Sequence, residues 1–234
     1  MKVGLKPQTL NFIEENGIKF FERFTALDKN KVPIKITFDN YDEFTRITAK
    51  DSKDEELGFY SLLFKKDERA IEGNQIIAHE QGRNIGQILT LSSLIELSKN
   101  QLNKFKLFSL RDAIPFHTRL GFIIDSDDPY YICDGLKQVA KTKLPNTDEF
   151  KYNAKFFLPK VKDGNNYIKE DKFIFYRGCK VISDFMKFVS QNGFKKGMPK
   201  LDNGCYMYFS DNEILTNRRF LNPLLKQHNI DYEL

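Results

Sequence analysis

The residues best suited to chemistry sit in one short stretch, Gln81-Gly82-Arg83-Asn84-Ile85-Gly86-Gln87. Its two glycines remove side chains, so a ligand can come close to the main chain. Ile88, Leu89, Leu91, Leu94, Ile95 and Leu97 follow at mostly helical spacing, so the stretch opens a helix. The first N–H groups of a helix have no intrahelical acceptor, and the positive end of the helix dipole lies behind them. That makes an anion site, and phosphate is its usual occupant. Arg83 adds a positive charge expected to be mobile. On spacing alone, the stretch reads equally as a phosphate cradle or as a plain strand-to-helix turn.

Other chemistries have less to stand on. The only histidines are His79, His117 and His228, too few for a His-rich site, so no metal is expected. Cys133, Cys179 and Cys205 are far apart and odd in number, with no CxxC spacing. A reducing compartment is therefore the default, and a cytoplasmic protein is expected. The net charge of +5 suits an anionic ligand without demanding nucleic acid. Basic residues do gather towards the end, at Lys195, Lys196, Lys200, Arg218, Arg219 and Lys226. A solvated face explains them, with an acidic partner as the alternative. No nucleic-acid motif accompanies them, so nucleic acid is not an expected partner. No apolar run is long enough to span a membrane, and Met1 to Lys6 lack the apolar segment of a secretory signal. A hydrophobic fraction of 41% and a charged fraction of 29% fit a soluble globular chain.

The elements that must position the glycine stretch are legible on both sides of it. Residues 8–27 carry Leu10, Phe12, Ile13, Ile18, Phe20, Phe21, Phe24 and Leu27, which predicts one or two amphipathic helices broken at Gly17. Strands follow at 33–38, 44–49, 57–64 and 70–78, the last feeding the glycine stretch. The helix runs from about Gln87 to Asn100. A buried strand is expected at 105–110, then a short helix at 112–120 with Asp112 as its cap and Pro115 in its first turn. Gly121 ends that helix, and Phe122-Ile-Ile124 starts a strand. Strand, crossover helix and strand together indicate an α/β fold with a parallel strand pair. Further on, Phe156-Phe-Leu158 and Phe173-Ile-Phe-Tyr176 flank Lys162-Asp-Gly-Asn-Asn166 and predict a hairpin. A helix through Val181, Ile182, Phe185, Phe188 and Val189 closes at Gly193; a strand at 205–209 and a basic helix at 212–225 end the chain. The expected division is a core over 1–125 and an extension over 126–234.

Two segments together resemble the Gcn5-related N-acetyltransferase (GNAT) superfamily. Gln81-Gly82-Arg83-Asn84-Ile85-Gly86 matches its signature Gln/Arg-x-x-Gly-x-Gly/Ala, with Asn84 in place of the first signature glycine. Asn is the residue that best tolerates a left-handed backbone, so the departure is mild. Ala113 to Phe122 fits the second signature, an Ala, a Tyr position and Gly-Phe, with His117 at the Tyr position. Leu57-Gly58-Phe59 resembles the family's third strand. The resemblance covers roughly residues 35–125. It implies a mixed, mostly antiparallel sheet with a V-shaped parallel splay, flanked by helices and followed by an α/β extension.

It also implies acetyl-CoA as co-substrate, with its pyrophosphate on the main chain of Gly82 to Gln87, Gln81 preceding it. The pantetheine arm would lie along Ile76, Ile77 and Ala78. The implied reaction is direct attack of an amine on the thioester, with the acceptor a small molecule or a protein. His117 stands where the family keeps its acid, and otherwise merely fills the Tyr space. Glu72 is the candidate base, ahead of His79 and Glu80. Ser109 or Arg111 could instead touch CoA. A non-catalytic CoA-binding or interaction module on the same fold is the alternative, and a homodimer is left open.

Overall fold

The computed structural model describes residues 8–41, 44–163, 171–194 and 196–234. The chain begins with β1 (Gln8–Thr9), β2 (Phe12–Glu15), β3 (Ile18–Phe21) and β4 (Arg23–Leu27). Next come β5 (Pro33–Asn40), β6 (Thr45–Lys50), β7 (Glu56–Lys65), β8 (Ala70–Ala78), α1 (Ile85–Lys99) and β9 (Lys104–Ser109). After a 3₁₀ turn at Arg111–Ala113 follow α2 (Ile114–Leu120), β10 (Ile123–Asp125), α3 (Pro129–Ala140), α4 (Asp148–Asp163) and α5 (Asp171–Gln191). The last elements are β11 (Cys205–Ser210), α6 (Asp211–Gln227) and β12 (Ile230–Asp231). Two compact units result: Met1–Lys106 with Ser210–Leu234, and Leu107–Phe209.

In the first unit, strands are hydrogen-bonded in the order β9-β8-β7-β6-β5-β4. β4 to β8 form an antiparallel meander. α1 crosses over between β8 and β9, and the Asn103 N–H donates to the Arg69 carbonyl at 2.7 Å, where both strands begin. The two strands therefore run the same way, as a crossover connection requires. The sheet is thus mixed and mostly antiparallel, as the sequence implied. α1 is buried from Gln87 to Leu97 without a break, so it is a core helix rather than an amphipathic surface one. Its buried hydroxyls are satisfied within the helix: Thr90 donates to the Gly86 carbonyl and Ser92 to that of Ile88. The second unit orders its strands β10-β11-β9, with β10 and β11 antiparallel. There α3, α4 and α5 pack on one another, and α5 also packs on α2 and β10.

Three local expectations are corrected. Residues 8–27 are strands, not helices. Asn16 and Gly17 have φ of 50° and 72°, the pair of positive values that a two-residue hairpin turn needs, and Glu15 pairs with Ile18 across it. The hairpin expected over 151–177 is instead helical where described, falling in α4 and α5. Ala154 and Val161 are buried and Phe150 and Phe157 half-buried, a helical stripe. The expected turn lies partly outside the described residues, which stop at 163 and resume at 171. Asp112 does not cap α2: it lies inside the 3₁₀ turn, its carboxylate 3.2 Å from the Arg111 guanidinium. The aspartate that caps is Asp128, which accepts from the Tyr130 and Tyr131 amides at the start of α3. Gly121 ends α2 as expected, with φ of 103°. No described helix is long and apolar enough to cross a membrane.

Candidate functional site

The site is built at the end of β8. Opposite Ser61 and Leu62 of β7 stand Gln75 and Gly73, so Asn74 is an extra residue and β8 bulges there. Beyond the bulge the ladder resumes, with Ile76, Ile77 and Ala78 facing Tyr60, Phe59 and Gly58. The chain then leaves the sheet through His79 and turns into α1.

Two residues of that turn adopt left-handed backbone. Gly82 has φ of 83°, and Asn84 has φ of 64° and ψ of 24°. Asn84 thus takes the conformation expected of it in place of glycine. α1 begins at Ile85 with no side-chain cap and no acidic residue in its first turn. The first helical bond there runs from the Ile88 N–H to the Asn84 carbonyl at 3.1 Å. Among the described residues, no acceptor meets the amides of Ile85, Gly86 and Gln87. These donors point out of the helix start with the dipole behind them.

Arg83 is not the mobile cation that the sequence suggested. Its Nε donates to Asp28 Oδ2 at 2.7 Å, and Nη1 to Glu80 Oε2 at 3.0 Å. Both carboxylates raise its pKa, so it stays charged but is fixed and neutralised. Asp28 is fully buried. Burial pushes its carboxyl up, but the Val32 amide, the Arg83 guanidinium and the Asn30 amide more than offset that and hold it below the usual range. Asp28 therefore ties the β4–β5 turn to the glycine loop.

Gln87 is also turned inward. Its side-chain Nε2 lies 2.8 Å from His228 Nε2, and His228 Nδ1 lies 2.6 Å from the Leu27 carbonyl. A carbonyl only accepts, so Nδ1 carries the proton and Nε2 accepts from the Gln87 amide. Burial lowers the His228 pKa and keeps the ring neutral. The Leu27 N–H in turn donates to the His228 carbonyl at 2.8 Å. The end of the chain thus braces the start of α1. The sequence held no local signal for this, since the two residues are 141 positions apart.

The catalytic candidates are placed separately. Glu72 is exposed on β8, opposite Leu63. His79 Nε2 lies 3.2 Å from Glu56 Oε1, and Glu56 also binds Arg46 at 2.8 Å. Arg46 in turn sits over the Phe59 ring at 3.7 Å. Glu80 is engaged by Arg83. His117 belongs to the second unit, where it is 3% exposed. The rings of Phe116 and Phe122 lie 5.0 and 5.5 Å from it. Its Nδ1 finds no partner among the described residues, and burial lowers its pKa to about 4. Ser109 is buried in the second unit and Arg111 is exposed there.

No family model matches the sequence, and no curated protein matches it. Among solved structures the chain is similar to Tetrahymena GCN5, at 13% identity and a TM-score of 0.37, over 73% of this chain and 69% of that one. It is similar to an acetyltransferase of the GNAT family from Staphylococcus aureus, at 13% identity and a TM-score of 0.34, over 36% and 55%. It is similar also to a PaiA N-acetyltransferase from Thermoplasma acidophilum solved with coenzyme A, at 18% identity and a TM-score of 0.33, over 37% and 55%. The chain spans little more than half the length of the last two.

Proposed function

We propose that this chain is an acyl-CoA-dependent N-acetyltransferase of the GNAT kind, moving acetyl from acetyl-CoA to an amine. The observation that carries the reading is the open start of α1: three unengaged amides, a left-handed Asn84 and no carboxylate in the first turn. A pyrophosphate fits such a start, because a fixed set of donors is offered and nothing of like charge competes. With Arg83 already neutralised by Asp28 and Glu80, the amides from Gly82 to Gln87 do the binding. Ile76 to Ala78 present an extended main chain against which the pantetheine arm would lie.

The reaction we propose is direct. Glu72 takes the proton that leaves the attacking amine; the new C–N bond forms as the C–S bond breaks, and the thiolate departs. His117, with its pKa near 4, is neutral at physiological pH, so it offers a hydrogen bond rather than a proton. The same burial favours a second reading, in which the fold holds CoA without transferring the acetyl group. The amine acceptor, small molecule or protein, is open in both readings. Three buried cysteines, none of them in a disulfide, suit the reducing cytoplasm we propose as its place.

The test has two stages. Thermal shift or calorimetry with acetyl-CoA should show binding; none would sink both readings. Release of free thiol on adding amines such as spermidine or a lysine peptide then separates them. Glu72→Gln should cut that release about a hundredfold and leave affinity for acetyl-CoA unchanged. Unchanged release would remove Glu72 from the mechanism.

A further inference from the structure

The basic residues near the end of the second unit are not used by this reading, and the fold gathers some of them around one segment. Residues 196–202 run along a cavity of about 840 Å³, which also takes in Arg111, Asp112 and Met186. Lys196 to Pro199 also line a second cavity of about 450 Å³, together with Gln138 and residues 141–144. The segment is thus a wall shared by two hollows.

The wall is built rather than loose. The Lys200 N–H donates to Gln138 Oε1 at 2.8 Å, and the Lys200 carbonyl accepts from Gln138 Nε2 at 2.9 Å. One glutamine amide therefore clamps the main chain as a neighbouring strand would. Asp134 fixes that amide in turn, at 2.7 Å. Gly197 lets the wall approach Leu144: its φ is 97°, and an added Cβ would stand 2.8 Å from the Leu144 side chain.

The two hollows carry five cations, Arg111, Lys141, Lys143, Lys196 and Lys200, against the two carboxylates of Asp112 and Asp202. Asp112 is taken by Arg111. Among the described residues, none of the four lysines is paired with a carboxylate. Ile114, Met186, Met198 and Leu201 give the larger hollow an apolar lining. Among the described residues no aromatic or imidazole ring lines either hollow, so neither offers a surface on which bases stack. Methionine side chains adapt to irregular apolar partners.

We infer that this two-lobed groove docks an acidic peptide segment of a partner protein, with an apolar side chain anchored among Met186, Met198 and Leu201 and its carboxylates on the lysines. Charge complementarity selects the acidic partner, the ring-free lining disfavours nucleic acid, and the anchor gives more than diffuse attraction. The inference does not depend on acetyl transfer.

Fluorescence anisotropy on the whole chain tests it, with a labelled Glu-rich peptide carrying one central Leu. Binding should weaken as salt rises. Lys196→Glu with Lys200→Glu should weaken it more than about tenfold, with an unchanged melting temperature and unchanged response to acetyl-CoA. Leu→Ser in the peptide, or Met198→Ser in the protein, should each weaken it about tenfold. Equal binding by the double variant would overturn the groove, and equal binding without the anchor would reduce it to charge alone. Displacement of the peptide by CoA would assign the groove to the nucleotide instead. Tighter binding of a single-stranded oligonucleotide, lost in the same double variant, would replace the peptide with nucleic acid.

Discussion

α1 and α6 both belong to the first unit, yet their first turns are finished in opposite ways. At α6 the Glu213 carboxylate reaches back to the Ser210 N–H at 3.2 Å, Asp211 accepts from the Asn212 amide, and the helix is closed by its own acids. At α1 no side chain caps, no acid lies in the first turn, and the nearest positive side chain is already neutralised. Each helix start has the same orphan amides by construction. Under the proposed function, the open start of α1 takes an acceptor brought from outside, a role that α6 has no room for. The brace from His228 adds to this, since it holds Gln87 by its side chain and leaves its amide facing outward.

The contrast can be broken most severely by giving α1 what α6 has. Gly86→Glu puts a carboxylate in the open turn. Acetyl-CoA affinity should fall by at least about a hundredfold by calorimetry. The helix itself should lose little, since an acid near an N-terminus is worth about 0.3–1 kcal/mol in its favour, partly offsetting any steric cost. Retained binding would remove this turn as the site.

Further along, α1 buries an acid of its own, which sharpens the contrast by pH. Glu96 Oε1 accepts from the Phe21 N–H at 2.9 Å, while Oε2 has no partner among the described residues. Burial pushes its carboxyl up to about 8, with the Phe21 amide pulling the other way. A folded pKa above the unfolded value means that the protonated form stabilises the fold. That stability is fully present below about pH 4.5 and is lost as pH rises towards 8. Glu96→Gln keeps an acceptor for Phe21 and should flatten this limb, adding roughly 4 kcal/mol at pH 8 in denaturant melts. A slope that persists in the variant would place its origin elsewhere.

Smaller effects separate brace from cap. His228→Ala removes the partner of Gln87 and of the Leu27 carbonyl. It should cost about 2–3 kcal/mol and weaken acetyl-CoA binding severalfold. Ser210→Ala at α6 should cost about 1 kcal/mol and leave acetyl-CoA binding unchanged. If the two variants affect binding alike, the two helix starts are not functionally distinct.

Most of the fold around the glycine loop was legible because its signals are local. The alternation in 33–38, the glycines at 82 and 86 and the apolar run after them each report on their own few residues. The misreadings arose where two local signals compete. Asn16-Gly17 is a hairpin turn, yet the phenylalanines around it also fit a helical stripe. Phe156-Phe-Leu158 looks like a short strand, while Phe150, Ala154, Phe157 and Val161 carry the helical period that prevails. What the sequence hid depends on long-range partners: Asp28 holding Arg83 and His228 holding Gln87 have no spacing to announce them. Burial of His117 belongs to the same class, because three-dimensional packing sets it.

Amide hydrogen exchange with and without CoA tests the central claim most directly. The account predicts that CoA slows exchange at the amides of Gly82 to Gln87 and leaves the first turn of α6 as it was. Slowed exchange elsewhere with residues 82–87 unchanged would contradict it.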